Sequence, residues 1–389
     1  MNQRRRICIF TGTRADYGLL RSLMLEVKVD PELELQIIAS GMHLSTEFGL
    51  TYREIEADGF VIDAKVEMLL SSDTAAGISK SMGLGTIGFG DALERLRPDV
   101  AVILGDRFEA LAAAQAVLVA GIPLAHVHGG EITEGAIDES IRHAISKMAH
   151  WHFVAAEPYR KRVIQMGEPP DAVFNFGAPG LDCLDDMEWL DRDQLAAELG
   201  LALRETVLLV TYHPVTLGDR APTFAFGELL AALDQFPQAT IVFTYPNADA
   251  GGRALIRSID EYVACNPERS KAFVSLGQRR YLSLLRLSNV VVGNSSSGLT
   301  EAPALKVATV NIGERQLGRL KADSVIDADE DRLAIVQAIA KALSGEFQAG
   351  LKDAVSLYGY GNAGRQIKDQ LKKPLPGTRK KFFDIRHGY

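Results

Sequence analysis

Six short runs set polar or charged side chains directly after apolar, β-branched segments. They are Thr11-Gly12-Thr13-Arg14, Gly105-Asp106-Arg107, His128-Gly129-Gly130-Glu131, Tyr212-His213-Pro214, Tyr245-Pro246-Asn247 and Gly293-Asn294-Ser295-Ser296-Ser297-Gly298. Asp106 and Glu131, with Asp138 and Glu139 opening the next helical stretch, are candidates for general acid and base work. Carboxylates gathered near a low-dielectric cleft shift one another's pKa. The plainer alternatives are a helix-start charge for Asp138 or Glu139 and a solvated loop for Glu131. His213 stands at a strand end, which favours a functional role over that of a packed core histidine. The serine run 293–298 follows one strand and precedes a helical stretch. Its N–H groups and hydroxyls can hold a pyrophosphate, although a serine acting only as N-cap needs nothing further. Arg14, Arg107 and Arg315 follow strands and can supply the cations a phosphate requires.

Other motifs carry less. Gly83-Leu84-Gly85-Thr86-Ile87-Gly88 satisfies GxGxxG, but the dinucleotide fingerprint has meaning only after a strand and opening a helix. Here the residues before it already look helical, so close packing or close approach of a ligand is the better reading. No GxxxxGK[ST] occurs, which excludes a P-loop nucleotidase. Five of the 8 histidines (His126, His128, His143, His150, His152) crowd one stretch. A metal hydrolase is conceivable from His126, His128, Asp106 and Glu131. Residues two apart on a strand share a face, however, so only the strand-end histidine need be functional. His150 and His152 are expected in a helix-to-strand turn.

Positioning these groups falls to short apolar runs alternating with amphipathic stretches. Strands are expected at Ile7–Phe10, Leu35–Ala39, Val61–Val66, Val100–Leu104, Pro123–Val127 and His152–Ala155. Helices are expected at Asp16–Val27, Phe108–Val119 and Asp138–Met148. The pattern restarts at Val207–Thr211, Thr240–Thr244, Ala272–Ser275, Val290–Gly293 and Val307–Asn311. Continuous apolar strands alternating with helices are the mark of a doubly wound parallel sheet. The expected architecture is two Rossmann-like α/β domains facing a central cleft. One spans 1–177 and carries the acids, and one spans 178–360 and binds the anion. The hinge is the Gly/Pro turn Phe176–Gly180, and 361–389 forms a last helix (Asn362–Leu371) and a basic tail.

Length and charge agree with this. A chain of 389 residues suits two or three domains. With 47% hydrophobic and 24% charged residues the composition is globular. A net charge of −8 argues against a nucleic-acid partner. Cys8, Cys183 and Cys265 are odd in number and widely spaced, so neither a disulfide framework nor a zinc ribbon is indicated. No apolar run reaches the length of a membrane span. Arg4-Arg5-Arg6 resembles a signal-peptide start, but the apolar run after it is too short. A soluble cytoplasmic protein without membrane association is expected.

Taken as a set and in order, TGTRADYG (11–18), LGDRFE (104–109), AHVHGGEITEGAIDESIRHAISKMAH (125–150), YHPVT (212–216), YPNADAG (245–251), GNSSSG (293–298), NIGERQ (311–316) and YGYGNA (358–363) resemble the hydrolysing UDP-N-acetylglucosamine 2-epimerases of sialic and related nonulosonic acid biosynthesis. The resemblance covers roughly residues 5 to 370. It implies a glycosyltransferase-B-like fold, a UDP-sugar substrate, release of UDP and an N-acetylmannosamine-type sugar, and no nicotinamide or essential metal. It also implies a homodimer or dimer of dimers. Asp106 and Asp138 match catalytic acidic positions and His213 the histidine of the second domain. Arg14, Ser295, Ser296, Glu301 and Arg315 match UDP-binding positions, with Arg107 and Asn247 as further contacts. Two departures touch the sugar. Animal relatives carry a catalytic Glu in a HIEGGE-like motif where this chain has His128, so either Glu131 takes that role or the sugar pocket differs. Leu19 stands where they have a first-loop lysine. A UDP-linked 2,4-diacetamido-trideoxyhexose is therefore an alternative substrate. A UDP-sugar glycosyltransferase and a silent nucleotide-sugar-binding regulator are rival classes.

Overall fold

The computed structural model describes residues 4–72, 74–134, 136–184, 187–215, 222–246, 251–359, 361–375, 377 and 379–385. By internal contacts the chain forms two units. One is Met1–Glu131, Asp138–Asp185 and Tyr358–Tyr389; the other is Ile132–Ile137 and Asp186–Leu357.

The first unit holds β1 (Arg5–Thr11), β2 (Leu33–Ser40), β3 (Ala64–Val66), β4 (Val100–Leu104), β5 (Leu124–Val127), β6 (Trp151–Val154) and β7 (Val173–Asn175). Their order in the sheet is β3-β2-β1-β4-β5-β6-β7, and the pairings are parallel. Every residue of β4, β5 and β6 is buried, as a sheet covered on both faces requires. The helix Arg14–Val29 is started by a capping box between Thr13 and Asp16. It buries Tyr17, Leu20, Leu23, Met24 and Val27, the one-face spacing of an amphipathic helix. The C-terminal helix Ala363–Leu371 adds Ile367 and Leu371 to that same core.

The second unit holds β8 (Val207–Thr211), β9 (Thr240–Thr244), β10 (Ser270–Phe273), β11 (Val290–Gly293), β12 (Ala308–Ile312) and β13 (Val325–Ala328). The order is β10-β9-β8-β11-β12-β13, again parallel. Val207, Leu209 and Val291 belong to the buried interior, and Leu208, Val210 and Val292 to the main apolar cluster.

Both expected strand series are present, and two strands exceed them. β7 and β13 lie at sheet edges, where one side goes unpaired and a continuous apolar run is not needed. His152 sits within β6, fully buried, and not in a turn; only His150 precedes the strand. The GxGxxG run lies inside the helix Ala75–Leu96. A Cβ on Gly85 would press on Met68 and Ala112, and one on Gly88 on Val66, so these glycines serve helix packing.

Candidate active site

Ligands of doubly wound sheets sit beyond the strand ends where the order reverses. In the first sheet that point lies between β1 and β4, so the loops 12–14 and 105–107 flank it. Arg14 is the first residue of its helix. Beside it the Asp16 carboxylate accepts the N–H groups of Gly12 and Thr13, each at 3.1 Å. Burial pushes Asp16 above the usual carboxylate range, against the pull of the Arg107 charge and these hydrogen bonds. Arg107 stands at the N-cap of Phe108–Val119, its Nε 3.2 Å from Glu109 Oε2. Gly12, Asp16 and Glu109 line one small cavity with Phe10, Phe89 and Ile103.

Asp106 is gripped by Arg142. That arginine lies in the helix Asp138–Met148 between Ile141 and Ile145 and is fully buried. Its Nη2 donates to Asp106 Oδ2, and its Nη1 donates to Glu139 Oε2 and to the Glu131 carbonyl, both at 3.0 Å. One guanidinium thus ties the loop after β4 to the loop after β5 and to the start of its own helix. Asp138 opens that helix, half-buried, one turn ahead of Arg142. The Glu131 side chain is almost wholly buried and its Oε1 lies 2.6 Å from His128 Nδ1. His128 takes a left-handed backbone with φ 65°, a conformation that costs a Cβ-bearing residue about 1–2 kcal/mol.

His126 and His152 are held inside the fold. His126 is fully buried between Gly105 O (2.7 Å) and Ser146 Oγ (3.0 Å), and burial pushes it down to about 3. His152 Nε2 bonds Glu168 Oε2 at 3.0 Å. Among the described residues no group of three His, Cys, Asp or Glu side chains could hold a metal ion. Nor is any described helix long and apolar enough to cross a membrane.

The second sheet reverses between β8 and β11. Gly293 ends β11 with φ 135°, and a Cβ there would overlap the Thr211 carbonyl, so the position requires glycine. The next residue, Asn294, is fully buried and holds the His213 backbone from both sides. Its Oδ1 accepts from His213 N at 2.7 Å and its Nδ2 donates to His213 O at 2.9 Å. The Asn294 carbonyl in turn accepts from Arg315 Nη1 (3.1 Å) and Gln316 Nε2 (2.8 Å). His213, the serine turn and Arg315 are therefore one hydrogen-bonded group. Ser295 Oγ accepts from Ser297 N at 3.4 Å, and Tyr281 donates to Ser297 Oγ at 2.7 Å. Ser296 occupies the N-cap of Ser297–Ala304 without a side-chain cap hydrogen bond, and the first turn carries no acid. Such a helix start is receptive to an anion. Glu301 lies further along the same helix. Asn247 lies outside the described residues.

Arg142 and Asn294 are the residues that sequence reasoning passed over. Arg142 carried one signal, a charge sitting in the apolar stripe of Ile141 and Ile145. Asn294 stood in the flagged turn but looked like one of several polar turn residues.

Two doubly wound parallel sheets, each with charged and hydroxyl groups at its switch point, define a two-domain α/β protein of glycosyltransferase-B-like fold. A solved UDP-GlcNAc 2-epimerase from Neisseria meningitidis bound to UDP-GlcNAc shares this fold, with TM-score 0.77, 16% identity, and coverage of 94% of this chain and 99% of that one. A family model described as UDP-N-acetylglucosamine 2-epimerase matches residues 25–372. The chain belongs to that family. It is 44% identical over 345 residues (89% of each chain) to a protein of Campylobacter jejuni named GDP/UDP-N,N'-diacetylbacillosamine 2-epimerase (hydrolyzing). It is 38% identical over 341 residues (87% of this chain, 89% of the other) to the UDP-N,N'-diacetylbacillosamine 2-epimerase (hydrolyzing) of Legionella pneumophila.

Proposed function

We propose that this protein is a hydrolysing UDP-sugar 2-epimerase whose substrate is UDP-N,N'-diacetylbacillosamine, a UDP-linked 2,4-diacetamido-2,4,6-trideoxyhexose. The products would be UDP and the free sugar inverted at C2. The observation that carries this reading is the similarity, over 87–89% of the chain, to two proteins named for that sugar. The family description favours a second reading, UDP-N-acetylglucosamine giving N-acetylmannosamine.

The C2 proton of either sugar is not next to a carbonyl, so enolate chemistry is closed. The workable route is anti elimination followed by hydration. The C2–H pair becomes the C1=C2 bond of a glycal while the C1–O pair leaves with the β-phosphate of UDP. Water oxygen then adds at C1, and a proton reaches C2 from the opposite face. Ser295, Ser296, the helix start and Arg315, with Arg14, Arg107, Asn247 and Glu301, hold UDP and stabilise the departing pyrophosphate. Asp106, Asp138 and His213, with the loop that carries Glu131, handle protons and water.

Chromatography of each UDP-sugar after incubation with the protein in D₂O tests this. UDP and a free sugar carrying one deuterium at C2, formed faster from the diacetamido substrate, are the expected products. A faster reaction of UDP-N-acetylglucosamine would select the second reading. UDP release that requires an acceptor would indicate a glycosyltransferase, and product without C2 deuterium would exclude elimination.

A further inference from the structure

We infer that His128, through Nε2, is the group that takes the C2 proton, and that Glu131 is a positioning residue acting behind it. This rests on the 2-epimerase reading above and names the base within it.

Three observations converge on the imidazole. First, the backbone is arranged around it. His128 follows the last residue of β5, its N–H is bonded to Phe153 O at 2.9 Å, and its φ of 65° is a conformation a β-carbon disfavours. Strained backbone of this kind persists where a side chain must be aimed. Gly130, two residues on, also has positive φ, and a Cβ there would overlap the Tyr159 carbonyl, so the loop is fixed against the protein behind it.

Second, the ring has a defined front and back. Glu131 Oε1 lies 2.6 Å from Nδ1. An ionised carboxylate only accepts, so Nδ1 carries the proton and Nε2 presents a lone pair. That is the base form of a histidine. The carboxylate would then steady the imidazolium once the proton has arrived. The Glu131 backbone is itself fixed by Arg142 Nη1 at 3.0 Å.

Third, Nε2 is buried and has no hydrogen-bond partner, whereas His126, two residues earlier, has both ring nitrogens engaged. A buried nitrogen left in this way asks for a ligand. The charged or titratable groups about the loop are Glu131, His126, Arg142 and Arg162, the last donating to the Gly130 carbonyl. In the step itself the C2–H bond breaks, its proton bonds to Nε2, its electron pair forms C1=C2, and the C1–O pair departs on UDP.

The test compares wild type, His128→Gln and Glu131→Gln with the substrate that wild type turns over, adding a version deuterated at C2. His128→Gln should lower kcat by about 10²-fold or more, leave UDP affinity unchanged, and raise the isotope effect because proton removal becomes slower than every other step. Glu131→Gln should lose less, and the acidic limb of its kcat/KM profile should move to lower pH, because the imidazolium has lost its carboxylate. A smaller loss in His128→Gln overturns the proposal. So does a Glu131→Gln enzyme whose acidic limb stays in place, and this second criterion decides if His128→Gln does not fold. Failure of wild type to release UDP from either sugar would instead sink the epimerase reading, before any variant is made.

Discussion

Arg142 joins the carboxylates of Asp106 and Glu139, far apart in sequence, because β4 and β5 are neighbours in the sheet and the helix Asp138–Met148 follows β5. Its grip on Asp106 and Glu139 gives the proton-handling proposal a testable asymmetry. Asp106→Asn leaves a fully buried guanidinium short of one negative partner, while Asp138→Asn removes a charge from a helix start. Both variants should lower kcat by about 10²–10⁴-fold with UDP affinity unchanged. Their stabilities should differ. Breaking a buried pair costs up to about 3–5 kcal/mol, and a helix-start charge about 0.3–1 kcal/mol. Thermal unfolding beside UDP-release rates would show this, and equal Tm losses would mean that Arg142 does not depend on Asp106. The candidate acids were visible in the sequence because each ends a strand or opens a helix. Arg142 was not, since pairing through it depends on strand order, which local pattern does not report.

At the scale of elements, the close approach of β8 and β11 at Gly293 and the grip of Asn294 on His213 fix the second switch point. Asn294→Ala would leave the buried N–H and C=O of His213 without their partners, at a cost of about 1–3 kcal/mol for each unsatisfied group. A lower Tm together with weaker UDP binding is expected, because the side chain that ties the His213 loop to the serine turn is gone; UDP affinity unchanged by calorimetry would separate the turn from any ligand. The GxGxxG helix gives the opposite prediction. Gly83 is exposed and a Cβ there meets nothing within 4 Å, so Gly83→Ala should stabilise the helix by about 0.5–1 kcal/mol and leave turnover unchanged. Lost turnover would return a ligand to that motif. The central strands were legible because burial on both faces forces an unbroken apolar run, as in Val100–Leu104 and Val290–Gly293. β7 and β13 escaped because an edge strand needs few apolar residues; the buried pattern of Val325–Ala328 has no fully buried position.

For the whole molecule, the chain's return to the first unit after Leu357 matters to stability. The start of the basic tail is paired: Lys372 reaches Asp30 and Glu32 at 3.0 and 2.7 Å. Lys380 reaches the fully buried Glu168 at 2.7 Å, which Lys147 and His152 also contact. Although burial opposes it, this ring of donors holds Glu168 down to about 2. Burial also pushes His43 down to about 4 and His126 down to about 3 from an ordinary 6.5. All three shifts act in one direction. Below pH 6.5 the unfolded chain takes up protons that the buried histidines refuse, so stability falls as pH drops toward their folded values. Glu168 stabilises the fold above its ordinary 4.5, and that contribution is lost as pH falls from there toward 2. Tm should therefore decline in two stages on acidification, first below about pH 6.5 and then more steeply below about 4.5. Lys380→Met removes one donor from Glu168, so its folded carboxylate should protonate at higher pH, and the second stage, still starting near 4.5, should be smaller and end sooner. The first stage should shrink as well, because, besides burial, the Lys380 charge helps to hold His150 and His152 down. Differential scanning calorimetry across this range decides the matter: a second stage of undiminished size in Lys380→Met would mean that the tail does not secure Glu168 in solution.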